Sequence, residues 1–269
     1  MTMKFSELPR ALERGEELQQ RLAGKKLAVF LDYDGTLTPI VDRPEMAILS
    51  DSMRAIVSSL AERCSVAIVS GRDRPDVEKL VGIDNLIFAG SHGFDIMVPG
   101  GKAITRDEGA EFAGVLDDVK ARLHREVDPI EGSLIEPKKS SVAVHYRLVA
   151  EADQPKVKAV VDAILAEHDN LKVTPGKMVF EIQPKLDWHK GKAVLWLLEA
   201  LELDSHDVIP MFFGDDITDE DAFNALAGRG IGIFVGGATA EAKKDRPTAA
   251  DYMVADPDEA GTLLDTLAR

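Results

Sequence analysis

Two aspartates, one residue apart, close the apolar run of VFLDYDGTLTPI at residues 29–40. If Val29–Leu31 is a buried strand, Asp32 and Asp34 emerge just past its end. Two carboxylates that close repel, and a proton or a cation must compensate. A hard dication with oxygen ligands is the natural partner. Gly35 allows the chain to turn sharply and Thr36 brings a hydroxyl to the same place. A lone Asp-x-Asp reads equally well as an acidic turn.

A second acidic cluster changes that balance. FFGDDITDED at residues 212–221 also follows an apolar run, with Gly214 at the turn. Asp215 and Asp216 come first, and Asp219 follows one helical turn later. Glu220 and Asp221 are accounted for as favourable charge in the first turn of a helix, with Thr218 as a cap. Asp215 is not, because two acidic strand ends together build a magnesium pocket that neither forms alone.

Lys190 precedes Gly191 at the start of a predicted helix, where a cation opposes the helix dipole. A fixed ammonium there can bind a phosphate and stabilise an aspartyl intermediate. Lys192, further into the helix, is the alternative. Ser70, in VSGR, ends another apolar run. Its hydroxyl and the backbone N–H groups that follow can hold phosphate oxygens.

Elements must bring these residues together. KKLAVFLDYD, CSVAIVSGR and NLIFAGSHG read as strands, and SDSMRAIVSSLAER and RPDVEKLVG as helices between them. This alternation predicts a parallel sheet with helices on its faces, whose ligands gather at the carboxyl ends of the strands. Asp32, Asp34, Ser70, Arg72 and His92 all fall at such ends. Ser6–Leu22 reads as one leading helix. After a hairpin turning at Pro99-Gly100-Gly101, the order becomes helix, two strands, helix, two strands. That is a small α+β unit of roughly 75 residues. From Trp188 the α/β rhythm returns. The expected organisation is a core at residues 1–106 and 185–269, interrupted by an inserted module at 107–184.

The chain has 269 residues and a formal net charge of −15. The length suffices for a substantial core. The acidic balance argues against nucleic acid and anionic membranes as partners, although a local positive charge or a metal can still draw in a small anion. No apolar run reaches the roughly 20 residues of a membrane span. The N-terminal stretch has no apolar signal core, so a cytoplasmic protein is expected. Cys64 stands alone, which leaves no disulfide framework.

The four chemical pieces, in this order, resemble the motifs of the haloacid dehalogenase-like phosphatases. DYDGT is similar to the first motif, Ser70 to the second, Lys190 to the third and GDDITD to the fourth. Within that superfamily the phrases LDYDGTLTPI, SGR, GSHG, HYR, MVFEIQP, KGKA and FFGDDITDEDAF most resemble the trehalose-6-phosphate phosphatases. The resemblance implies an α/β, Rossmann-like core with a parallel sheet flanked by helices, plus an inserted α+β cap. It implies Asp32 as nucleophile and Asp34 as general acid and then base. It implies magnesium on the Asp32 side chain, the Asp34 backbone carbonyl and Asp215, with Asp216 and Asp219 orienting metal waters or Lys190. Manganese is not distinguished from magnesium by such oxygen ligands.

The cap would select the sugar. In EPKKSSVAVHYR, Val142 and Val144 are expected on one face and Ala143, His145 and Arg147 on the other. The resemblance carries sugar contacts to Lys139, Arg147 and Glu181. His92 and Gly93 are expected near the sugar, and Arg72 within reach of the ligand. Lys138, Lys139 and Lys177 would help draw an anion into an acidic protein. The partner is then a small-molecule sugar phosphate, with neither nucleic acid nor membrane. The oligomeric state is open, and a monomer suffices. Two other readings stand beside this one. A related sugar phosphatase, acting on sucrose phosphate, mannosylglycerate phosphate or a hexose phosphate, would share the core chemistry. A receiver-like module phosphorylated for signalling would have no use for Asp34.

Overall fold

A computed structural model describes residues 3–41, 43–105, 112–138, 140–176, 178–236 and 246–269. The first half of the chain runs β1 (Met3–Lys4), α1 (Gly15–Leu22), β2 (Lys26–Leu31), α2 (Asp51–Ala61), β3 (Ser65–Val69), α3 (Arg74–Val81), β4 (Ile87–Gly90), β5 (Asp95–Val98) and β6 (Lys102–Thr105). Then come α4 (Ala113–Glu126), β7 (Leu134–Pro137), β8 (Val142–His145), α5 (Gln154–Glu167), β9 (Leu171–Gly176) and β10 (Val179–Pro184). The last part holds α6 (Lys190–Ala200), β11 (Val208–Gly214), α7 (Glu220–Leu226), β12 (Ile231–Val235), β13 (Pro247–Thr248), β14 (Tyr252–Val254) and α8 (Pro257–Leu267).

Contacts divide the chain into two compact units, one of Met1–Ile104 with Trp188–Arg269 and one of Thr105–Asp187. Among the described residues, the larger unit carries an eight-stranded sheet in the order β14-β12-β11-β2-β3-β4-β5-β6. From β14 to β4 every neighbouring pair is parallel, and β5 turns back antiparallel on β4. The central strands are apolar on both faces because both are covered. Val29, Leu31, Ile68, Met211 and Phe213 enter one core; their neighbours Ala28, Phe30, Ala67, Val69 and Phe212 enter the other. That alternation is the two-residue period of a strand. The predicted α/β architecture with a mostly parallel sheet is the one observed.

One expected element is broken. Ser6–Leu22 does not form a single helix but two short 3₁₀ turns at Phe5–Glu7 and Ala11–Glu13, followed by α1. Pro9 has no N–H to give, and it forces Leu8 into extended geometry, with φ −64° and ψ 130°.

The smaller unit is a four-stranded antiparallel sheet, β7-β8-β10-β9, with α4 and α5. Its core gathers Leu116, Leu123, Val142, Val144, Val161 and Ile182. The start of the expected module, at residue 107, lies outside the described residues. Among those residues, no helix is long and apolar enough to cross a membrane.

Candidate active site

β2 lies between β11 and β3, and the register places the acidic ends side by side. Leu31 pairs with Phe213 on one flank and with Ile68 on the other. Asp32, Asp215 and Ser70 are therefore each the first residue past their strands. The Asp32 N–H donates to the Phe213 carbonyl at 2.9 Å, which ties the loop after β2 to β11. Gly35, at φ +86°, turns that loop back. A Cβ on Gly35 would overlap the Asp215 carboxylate, so only glycine lets the two acidic loops close on each other.

Carboxylate oxygens of Asp32, Asp215 and Asp219 lie within 4.8 Å of one another, and all three residues are buried. Lys190 enters from the first turn of α6. Its Nζ donates to Asp32 Oδ1 and to Asp219 Oδ1, both at 2.7 Å. Asp219 Oδ2 accepts the backbone N–H groups of Asp215, at 3.0 Å, and Asp216, at 2.9 Å. Asp219 thus holds the lysine with one oxygen and the acidic loop with the other.

Burial raises the Asp32 pKa; Lys190 works against this, and the Asp219 and Asp215 charges add to it. Burial disfavours the Lys190 ammonium, yet Asp219 and Asp32 outweigh that and keep it charged. Three carboxylates around one ammonium leave two negative charges in excess when all are ionised. A divalent cation with oxygen ligands balances that excess, so the donor set fits such an ion. Thr36 adds a buried hydroxyl with no hydrogen-bond partner among the described residues.

The remaining core residues surround this cluster. Ser70 is buried, and its Oγ accepts the Arg72 N–H at 3.1 Å. Arg72 forms a two-pronged pair with Asp34. Its guanidinium lies 5.4 Å from the centroid of the Tyr33 ring. His92 and Gly93 lie in the turn after β4, and the His92 N–H donates to the Ser70 carbonyl at 2.8 Å. Asp216 is exposed at the start of the 3₁₀ turn Ile217–Asp219. Of the two lysines in KGK, Lys190 is the buried one on the carboxylates, whereas Lys192 is partly exposed.

The smaller unit places its residues differently. Glu181 is opposite Ala143, and its Oε1 accepts from Ser141 Oγ at 2.7 Å and Lys138 Nζ at 3.3 Å. His145 Nε2 and Glu136 Oε2 are 2.7 Å apart on that face. Lys139 and Lys177 lie outside the described residues. Arg147 does not continue the expected alternation, because β8 ends at His145 and Arg147 sits in the exposed turn that follows. Lys138 was expected only as a cation that helps draw in an anion, and Glu136 and Ser141 were not singled out. Lys138 and Ser141 bond to Glu181 and Glu136 meets His145, pairings that the register of β7, β8 and β10 sets across strands and no local pattern announces.

The family model described as trehalose-phosphatase matches residues 30–258. The chain is 40% identical over 270 residues to "Probable trehalose-phosphate phosphatase D" of Arabidopsis thaliana, covering 96% of this chain and 72% of that protein. It is 40% identical over 269 residues to "Trehalose-phosphate phosphatase" of Mycobacterium avium (strain 104), covering 98% and 68%. Among solved structures, the C-terminal domain of C. albicans trehalose-6-phosphate phosphatase superposes with a TM-score of 0.76 at 26% identity, covering 97% of this chain and 98% of that one. A haloacid dehalogenase-like hydrolase from Bacteroides thetaiotaomicron shares the fold, with a TM-score of 0.63 at 18% identity, covering 90% and 98%.

Proposed function

The chain belongs to the trehalose-phosphatase family, and on that footing we propose that it hydrolyses trehalose 6-phosphate to trehalose and inorganic phosphate through a phosphoryl group carried on Asp32. The observation that carries this reading is the buried cluster of Asp32, Asp215 and Asp219 with Lys190 bridging two of the three.

The chemistry needs a nucleophile, a proton donor and relief of charge. An Asp32 carboxylate oxygen attacks phosphorus, and the bond from phosphorus to the sugar oxygen breaks. Asp34 gives that oxygen its proton, and trehalose leaves. Asp34, now a carboxylate, takes a proton from water, whose oxygen attacks the phosphorus of the acyl phosphate and frees Asp32. Lys190 fixes the Asp32 carboxylate and answers the charge that builds on the phosphoryl oxygens. Ser70 and the loop N–H groups hold those oxygens in place.

Magnesium is assigned to the Asp32 and Asp215 carboxylates and the Asp34 carbonyl, with the Asp219 carboxylate close by. When bound, it screens the repulsion between carboxylate and phosphate. Phosphate-monoester hydrolysis is among the slowest uncatalysed reactions, with enhancements up to about 10²¹, which is why so many charge-bearing groups converge. Choice of sugar is assigned to the unit at Thr105–Asp187, with Glu181 and Arg147 as contacts and Lys139 carried by the family resemblance.

A phosphate-release panel tests the reading, with trehalose 6-phosphate, sucrose 6-phosphate, glucose 6-phosphate and an aryl phosphate as substrates. Trehalose 6-phosphate is expected to give the highest kcat/KM. Equal rates across the panel would refute the named sugar and leave a general phosphatase. Asp32→Asn is expected to fold normally and to release no phosphate; activity in that variant would remove Asp32 from its role.

A further inference from the structure

The turn after β4 holds three consecutive residues in left-handed backbone: Ser91 at φ 49°, His92 at φ 57° and Gly93 at φ 93°. Only the third is glycine. Side chains with a Cβ resist this region, so the surroundings must impose it on Ser91 and His92. Strain of this kind, held in place by several bonds, marks a segment whose exact course matters.

The bonds lead to one place. The Ser91 N–H donates to the Arg72 carbonyl at 2.7 Å, and the His92 N–H to the Ser70 carbonyl at 2.8 Å. Ser91 Oγ donates to Asp73 Oδ1 at 2.7 Å. All three end on residues 70–73. The His92 imidazole also packs on Gly71: a Cβ built there would lie 2.8 Å from Cε1 and 2.9 Å from Nε2. Trp188 Nε1 in turn donates to the His92 carbonyl at 3.1 Å. The Trp188 ring sits 6.0 Å, centroid to centroid, from Phe94. Trp188 also lies two residues before Lys190, so the segment that fixes the turn also delivers the lysine.

We propose that Trp188 and His92 are positioning residues, a strut that holds the Ser70–Arg72 loop at the height where its hydroxyl and N–H groups meet the oxygens of a bound phosphate. Neither side chain need touch the reacting atoms. Trp188 fixes the His92 carbonyl, and His92 passes that restraint to the Ser70 carbonyl and to Gly71. The inference rests on the assignment of the Ser70 loop to phosphate made above.

The chain has two tryptophans, Trp188 and Trp196, so Trp196→Phe leaves Trp188 as the sole reporter. Adding inorganic phosphate with magnesium to that variant is expected to change Trp188 emission saturably. Trp188→Phe keeps an aromatic ring but loses the indole N–H. It is expected to weaken inorganic phosphate inhibition and to raise the substrate KM by about fivefold, the weight of one hydrogen bond, with kcat changed less. Gly71→Ala, which pushes a methyl against the imidazole, is expected to give the same split. If Trp188→Phe does not fold, Gly71→Ala and the emission change decide. An unresponsive Trp188 together with unaltered phosphate affinity in the folded variants would overturn the strut while leaving the phosphatase reading intact. Phosphate binding that weakens in these variants, in a protein that does not act on trehalose 6-phosphate, would do the reverse.

Discussion

Asp34 and Arg72 face each other as a fork on a fork: Nε donates to Oδ2 at 2.7 Å and Nη2 to Oδ1 at 2.6 Å. Nη2 also donates to the Pro44 carbonyl at 2.9 Å. A planar guanidinium that grips both oxygens fixes the plane of the carboxylate as no ammonium can. Both Asp34 oxygens accept in this geometry, so the proposed acid step needs a proton taken up from solvent on the oxygen that one prong releases. One prong must open when the sugar oxygen arrives.

Arg72→Lys keeps the charge and loses the fork. General acid–base catalysis contributes about 10²- to 10⁴-fold, and a misaimed Asp34 should forfeit a part of it, on the order of tenfold in kcat. Asp34 is 42% exposed, so stability should move by less than about 1 kcal/mol. Phosphate-release kinetics and a urea transition on the same variant check both. Full activity in Arg72→Lys would show that the fork orients nothing of consequence.

The bridging lysine has a different signature. Lys190 is 4% exposed between Asp32 and Asp219. Removing one partner of a buried ion pair costs about 3–5 kcal/mol, because the other charge stays behind. Lys190→Met is therefore expected to lower the urea midpoint sharply and to abolish turnover. Magnesium should restore part of the loss, since a dication on Asp32 and Asp215, beside Asp219, offsets the missing positive charge. A variant as stable as the parent without magnesium would show that the aspartates are not jointly ionised.

How far the sequence alone reaches is clear from individual residues. Asp32, Ser70 and Asp215 were legible because each follows an apolar strand and meets a turn, and a parallel sheet places all such ends on one edge. Asp219 was legible only as a helper, since acidic residues in a first helical turn need no further reason. Its place in the cluster comes from Lys190, 29 residues away, and from two backbone N–H groups of its own loop. The grip of Arg72 on Asp34 spans 38 residues and depends on rotamers that no local pattern encodes. The helix read over Ser6–Leu22 failed at Pro9, where one residue outweighs a leucine periodicity. Arg147 was misplaced because alternation does not announce where a strand stops.

Cys64 supplies a test of the core that involves no catalysis. Its Sγ donates to the Leu60 carbonyl at 3.6 Å, and burial pushes the thiol from 9.0 up to about 11. The thiolate is the reactive form, so on the order of one thiol in a thousand is available at pH 8. An aromatic disulfide reagent should label the native protein slowly and the denatured protein at once, with the native rate climbing as pH rises toward 11. The folded state holds this proton more tightly than the unfolded chain. The contribution to stability is therefore complete below pH 9.0 and falls as pH climbs from there toward about 11. Cys64→Ala should remove that part of the alkaline loss. Rapid labelling of the native protein at pH 8 would contradict the burial.

Gly35 offers the sharpest test of the metal assignment, because it touches no proposed ligand's chemistry. Its φ of +86° and the Asp215 carboxylate at its Cα leave no room for a side chain. Gly35→Ala must either push Asp215 away from Asp32 or strain the loop after β2, while all three carboxylates remain in the chain. The melting temperature of the parent protein should rise with magnesium, by an amount corresponding to about 2.7 kcal/mol at a hundred times the dissociation constant. In Gly35→Ala that rise should shrink or vanish, turnover should fall, and the melting point without magnesium should drop modestly. Asp215→Asn should lose the magnesium response as well, but with an unstrained loop. Calorimetric titration that finds magnesium bound as tightly by Gly35→Ala as by the parent would place the ion away from the Asp32–Asp215 edge.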